Sequence, residues 1–502
     1  MSTVRKQSII SSIVVYIGFA LGLFNTYLFT KKGGFTEAQF GLTGLFIAFA
    51  SIMFSVASMG MPGFVTKFFP YYQSHLRREK NDLLTWALVV PVMAFLLVIT
   101  GGIAFKDVLV DKVFNNSPEL LQYYYWTFPF GLGLTLFMVL EAYAWQQRAA
   151  VLSNFSKEIL FRALTTILIL LTMAGVIGSF SRFVHLYAFL YLAIAAIMIV
   201  YFIATKRFHF VFRRSKVTKR FSSKIITLCS FVWGGGLVYN LAAVFDTIVV
   251  AAVLPNGVAM AGILAFAQNL TSLIQAPQRA IVSASVGPLS QAWKDKNLDK
   301  IRRIYSRSSI NQLLFSCAMF SLIWLNFEDG IRAFNLKESF LQAKWVFLYF
   351  GLTRILDMGT GVNGQIISTS THWRFEFLSG LMLLGLALPL NYFLTRHYGI
   401  IGPAVSNLIA FAIYNMVRYF FLLKKFDMQP FTWKSALTLL LGVSCYLVTD
   451  ALFSDNHGFW WIVVRSSFFI GLFAAGSLLL KLSPDILPVL ATLKKKLRLG
   501  RS

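Results

Sequence analysis

A small set of ionisable residues stands inside long apolar runs of this 502-residue chain. Each is a candidate for chemistry, because burying a charge in hydrocarbon costs several kcal/mol unless it faces a polar cavity or a partner. Lys67, Arg162 and Arg279 fall within about six residues of the ends of their runs, roughly 9 Å or less of helix. They are placed to ring an inner mouth and hold an anion, and the arginines offer oxyanions a two-pronged fork that an ammonium cannot. The alternative is that these long side chains snorkel to the interface. Asp246 sits alone toward the outer part of its run, placed either to exchange a proton as a cavity opens and closes or to bond a neighbouring helix. Glu141, near the inner end of its run, is a weaker candidate of the same kind. In "TRILDMGTG", Arg354 and Asp357 lie roughly 14 to 18 Å inside the outer end of their span, too deep to snorkel. Their i, i+3 spacing fits a self-neutralising pair. It also fits a switch in which Arg354 leaves Asp357 for an anionic substrate.

The elements that must position these groups are membrane helices. With 57% hydrophobic and 13% charged residues, the chain is too apolar for several soluble domains. About 14 apolar runs of roughly 18 to 25 residues are long enough to span a bilayer. They begin near Ser8, Gly41, Leu84, Gln122, Lys157, Leu186, Ile226, Met260, Ser308, Trp345, Phe375, Ile401, Ser435 and Phe459. An even count puts both termini on one side. With the termini in the cytoplasm, that side collects roughly 30 Lys and Arg against about 9 on the other. The richest loop is "TKRFHFVFRRSKVTKRFSSK", Thr205 to Lys224, and the tail "LKKKLRLGRS" adds more. The net charge of +26 therefore reads as positive-inside topology and contact with anionic lipids, with no nucleic-acid partner. The first run, preceded by Arg5 and Lys6, is too long for a signal peptide and lacks a cleavage pattern, so it reads as an uncleaved span. Cys229, Cys317 and Cys445 sit in apolar runs without CxxC spacing and read as packing residues, with no disulfide framework, metal site or cofactor.

The chain repeats itself. "PYYQ" (70–73) recurs as "PLSQ" (288–291), "GVIG" (175–178) as "GIIG" (399–402), and "KRF" (206–208) as "KKF" (424–426). Three pairs in order at a shift of roughly 220 residues argue for duplication. The expected architecture is all-α and polytopic. Two like-oriented six-helix bundles, 1–215 and 216–426, flank a central cavity; 427–502 adds two further spans and a basic cytoplasmic tail. In "SMGMPGFVTKFFPYY" (58–72), Pro62 and Pro70 are expected to bracket the cytoplasmic end of the second span, as a plain terminus or a kinked gate.

That stretch, together with "AAVFDTIVVAAVL", "AFAQNLTSLIQAPQRAIVSASVGPLSQAW" and "NYFLTRHYGIIGPAV", resembles the Wzx-type polysaccharide exporters, lipid-linked oligosaccharide flippases of the multidrug/oligosaccharidyl-lipid/polysaccharide (MOP) superfamily. The resemblance covers about the first 425 residues and rests on the order of all four stretches in a duplicated architecture. It implies a non-enzymatic carrier of undecaprenyl diphosphate oligosaccharide in a bacterial inner membrane. It also implies a cationic central cavity, alternating access, and coupling to protons or sodium. Lys67, Arg162, Arg279 and Arg354 then become candidates for the diphosphate, and Asp246, Asp357 and Glu141 for coupling or gating. The amides of Asn25, Asn240, Gln268, Asn269, Gln275, Gln278, Asn363 and Gln365 suit sugar hydroxyls, and interhelical hydrogen bonds explain them nearly as well. A monomer is expected. The rival readings are a cation-coupled multidrug exporter of the same superfamily, which should favour acidic cavity residues, and a membrane-embedded polymerase or acyltransferase. The six histidines form no HxxxD or HExxH pattern to support the latter.

Overall fold

Apolar segments without water close their peptide hydrogen bonds internally as helix. Every run expected as a span lies on helix in the computed structural model, which describes residues 3–147 and 149–485; the basic tail lies outside the described residues. No strand occurs among the described residues, and 10 helical segments are long and apolar enough to cross a membrane. One of these, Arg374–Phe426, holds two helices packed on each other. The fold is all-α and polytopic, and the chain is a multi-pass membrane protein. It divides into two compact units, Met1–Gly262 and Ile263–Ser502.

The first unit contains α1 (Thr3–Thr30), α2 (Glu37–Ala57), α3 (Met61–His75), α4 (Leu83–Ala104), α5 (Thr127–Gln146), α6 (Phe161–Met173), α7 (Leu190–Ala204) and α8 (Lys216–Val253). A capping box starts α2: Gln39 N–H donates to the Thr36 hydroxyl at 3.1 Å, and Thr36 N–H to the Gln39 side chain at 2.9 Å. The proline-rich stretch does not simply end this span. Met59 (φ 47°) and Gly60 (φ 72°) turn left-handed, and α3 restarts with Pro62 in its first turn, where the missing N–H costs nothing. Pro70 lies inside α3. Aromatic and sulfur side chains of α2, α4 and α5 fill the core, with Met53, Phe95 and Phe128 buried together.

The second unit contains most of α9 (Gly257–Lys294), then α10 (Leu298–Leu325), α11 (Ala343–Gly359), α12 (Asn363–Thr369), α13 (Trp373–Tyr398), α14 (Gly402–Phe426), α15 (Trp433–Phe453) and α16 (Phe459–Leu479). The last two helices pack on α10, burying Cys317 with Cys445, Phe469 and Phe473. All three cysteines are buried and free. Between α10 and α11, the short helix Phe327–Ala333 carries Asp329, whose carboxylate accepts from Arg465 of α16 and lies 2.9 Å from His457 Nδ1. Burial alone would push this carboxyl up, but hydrogen bonds and charge from Arg465 and His457 outweigh it and hold it below the usual carboxylate range.

Candidate functional site

In the second unit a polar chain runs through the apolar helices. Asp357, near the end of α11, accepts from Gln278 of α9 at 2.9 Å and from Asn415 of α14 at 3.2 Å. The Asn415 carbonyl oxygen in turn accepts from the Thr360 hydroxyl and the Asn363 amide, both at 2.9 Å. The break between α11 and α12 makes this possible, since it carries Asn363 back toward α14. Asn363 Oδ1 accepts from the backbone N–H of Gly364 at 2.6 Å and from Arg418 at 3.5 Å. Arg418 completes the chain: it donates to Glu376 and to the Ser379 hydroxyl of α13, the latter at 3.2 Å, and stacks 3.8 Å over the Tyr414 ring. Its side chain is 6% exposed, so the charge survives there only because carboxylate, hydroxyl, amide and ring all compensate it. Gly364 makes the approach possible, because a Cβ there would stand 2.8 Å from the guanidinium and 3.2 Å from Glu376. Gln278 Oε1 and Glu376 Oε2 remain buried acceptors without a hydrogen-bond donor.

Of the residues expected to act in this unit, the structure brings Arg354 and Asp357 to the same helix face region. Asp357 is held by amides from two other helices, and the Arg354 guanidinium lies 5.9 Å from the Phe411 ring centre on α14. Arg279 is exposed on α9. Sequence reading passed over Arg418, Glu376 and Asn415. Gln278 and Asn363 stand in the sequence as amides for sugar hydroxyls or interhelical hydrogen bonds, and both make interhelical bonds here.

The first unit solves its charges differently. Arg162, in the first turn of α6, pairs with Glu158 one turn earlier at 2.9 Å, donates to the Gly18 carbonyl of α1, and lies 5.8 Å over Phe19. Gly22 leaves room for it, since a Cβ there would stand 2.8 Å from a guanidinium nitrogen. The Arg162 carbonyl accepts from Asn25 at 2.9 Å, and Asn25 accepts from Thr166 at 2.6 Å. Arg162 is therefore built into α1–α6 packing. Glu141 is 3% exposed on α5 and lies 3.6 Å from Lys157. Exposed Lys67 shares with it a recess of about 380 Å³, walled by Pro62, Thr66 and Trp145. Asp246 is half-buried on α8.

No protein-family model matches the sequence, and no curated protein matches it. Solved structures do. Over 93% of this chain and 98% of the other, it superposes on a lipid II flippase MurJ in an inward closed conformation, with TM-score 0.73 and 17% identity. An inward-facing multidrug resistance MATE family transporter of the MOP superfamily follows at TM-score 0.61 and 14% identity, covering 89% of this chain and 99% of that one. The outward-facing conformation of a MATE family transporter gives TM-score 0.52 at 13% identity, over 83% and 94%. The chain has the fold of the MOP transporters. The likeness noted from sequence motifs thus holds at the level of the superfamily fold.

Proposed function

We propose that this chain moves a lipid-linked oligosaccharide, carried on undecaprenyl diphosphate, from the inner to the outer leaflet of a bacterial inner membrane by alternating access. The observation that carries this reading is the continuous polar chain, half-buried at Gln278, Asp357 and Glu376 and buried at Asn415 and Arg418, set in a MOP transporter fold. Apolar side chains would fill a merely structural interior at lower cost. A chain of amides and charges joining five helices offers alternative partners to a sugar diphosphate and links its binding to helix movement. The MurJ likeness supports a lipid-linked anion as cargo. In the proposed architecture, like-oriented bundles 1–215 and 216–426 rock about a central cavity, and 427–502 is an addition. Arg279, Lys67 and Arg354 attract the diphosphate, Asp246 couples movement to protons or sodium, and Asp357 and Glu141 respond to the loading of nearby cations.

The deciding experiment is deletion of the gene followed by analysis of undecaprenyl-linked glycans. Accumulation of one such glycan in the inner leaflet, reversed by the intact gene, supports the reading. Normal glycan export with lost efflux of cationic dyes would replace it with the multidrug alternative. Two variants refine it: Arg279→Ala should abolish export while Arg279→Lys keeps part of it. Asp246→Asn should bind substrate without accumulating it against a gradient, and unchanged gradient dependence in that variant would remove Asp246 from coupling.

A further inference from the structure

On another side of α3 and α5 from the Lys67 recess, the first unit holds a second recess of about 270 Å³. Its polar wall is Arg78, Arg207, His209, Asn81, Gln73 and Gln147, with no acidic residue among the lining side chains. Arg78 belongs to the turn before α4, while Arg207 and His209 belong to the basic loop after α7. Their backbone is fixed. The Tyr143 hydroxyl donates to the Arg207 carbonyl at 2.6 Å and itself accepts from Gln147 at 2.8 Å. Val211 N–H donates to Thr85 at 2.9 Å, and buried Asp82 accepts from Ser215 N–H at 2.9 Å and from the Thr218 hydroxyl at 2.6 Å. Asp82 is thus spent on strapping the loop down, and neutralises neither arginine in the recess. Among the described residues, Arg78 and Arg207 enter no ion pair. His209 Nδ1 is buried without a hydrogen-bond partner.

Two unpaired guanidinium groups, an imidazole nitrogen lacking a partner and three amides converge on a space the size of a small headgroup. The geometry points to a binding site for a phosphoryl group. Guanidinium forks match phosphate oxygens two at a time, and the amides supply further donors. Apolar Phe69, Phe208, Leu76 and Leu84 complete the wall. The recess lies where α4 begins and α5 and α7 end, so the headgroup of an anionic phospholipid can enter with its glycerol stem against these side chains. The same chemistry would accept a soluble phosphomonoester. This inference does not depend on the proposed cargo.

The test uses the full-length protein in detergent. Native mass spectrometry counts bound dioleoylphosphatidylglycerol, with dioleoylphosphatidylcholine and sn-glycerol 3-phosphate as parallel probes. The tightest phosphatidylglycerol site should weaken at least tenfold in Arg78→Gln, Arg207→Gln. It should be unchanged in Lys219→Gln, Lys224→Gln, which removes the same charge from exposed positions of α8. Hydrogen exchange on the intact protein provides a readout independent of the variants: phosphatidylglycerol should slow exchange across 205–215. Glycerol 3-phosphate binding as tightly, with the same arginine dependence, would keep the phosphoryl site and assign it to a soluble ligand. Equal weakening in both double variants, equal binding of phosphatidylcholine, or unaltered exchange across 205–215 would overturn the proposal.

Discussion

Arg162 and Arg418 pose the same physical problem and receive opposite solutions. Each guanidinium sits on an apolar helix, each pairs with a glutamate, and each approaches a glycine too closely for a side chain. Arg162 is satisfied one turn away on its own chain segment and by a backbone carbonyl, with 28% of its side chain exposed. Arg418 is more deeply buried and borrows its carboxylate and hydroxyl from α13 and an amide oxygen from α12. A charge whose carboxylate comes from its own segment, with one backbone carbonyl of α1 added, ties only two helices together. A charge satisfied across helices makes the positions of those helices depend on one another, which is what a device that responds to a ligand requires.

The largest effect should follow from removing one partner of the buried pair. Arg418→Met leaves Glu376 in an interior with one acceptor oxygen already lacking a donor, and should cost about 3–5 kcal/mol. Arg162→Met leaves Glu158, itself only 17% exposed, and should cost less, about 1–3 kcal/mol, because the guanidinium removed is 28% exposed and has fewer partners than Arg418. The double variant Arg418→Met, Glu376→Leu should recover most of the loss. Thermal unfolding in detergent, followed by intrinsic fluorescence, measures all three; equal losses for the two single arginine variants would erase the distinction between the units.

How much of this was legible in the sequence follows from where each partner lies. The all-α polytopic fold was legible because hydropathy and loop charge act along the chain. Arg418 was not, because in "NMVRYFFLLKKF" it stands eight residues before Phe426 and looks like any cation near a basic span end. Only the packing of α14 on α13 brings Glu376 to it. Asp357 was recognised as too deep for a bystander, but the neighbour three residues away suggested a local partner. Gln278 and Asn415 reach it instead from helices 79 and 58 residues distant in sequence. The left-handed break at Met59 and Gly60 was hidden for a related reason: Pro62 signals the start of α3 as well as it signals the end of a span.

The second effect is on export with the fold retained. Asp357→Leu strands the Gln278 donor at about 1–3 kcal/mol and leaves the Asn415 amide only its bond to the Phe411 carbonyl, whereas Asp357→Asn can still accept one of them and should cost less. If Arg354 handles substrate, Arg354→Met, Asp357→Leu should insert in the membrane and fail to complement export. Complementation by that double variant, with surface glycan at the normal level, would reduce the pair to a structural feature and shift the functional burden to Arg418 and its neighbours.

The smallest effect sharpens the comparison most directly, because the perturbation is one methyl group in both units. At Gly22 a new Cβ would press on the end of the Arg162 side chain, which is 28% exposed and has only Glu158 one turn distant and one backbone carbonyl of α1 to keep. At Gly364 the same methyl meets both Arg418 and Glu376, neither of which can yield without breaking bonds to Ser379, Asn363 or the other. Gly364→Ala should therefore cost about 1–3 kcal/mol as overpacking of a fixed site. Gly22→Ala should cost well under about 1 kcal/mol, because replacing a helical glycine recovers roughly 0.5–1 kcal/mol of backbone entropy. The two unfolding midpoints measured side by side test whether the second unit's network is rigid. If Gly364→Ala is as mild as Gly22→Ala, the Arg418–Glu376 pair has room to shift, and its coupling of α13 to α14 is looser than its hydrogen bonds imply.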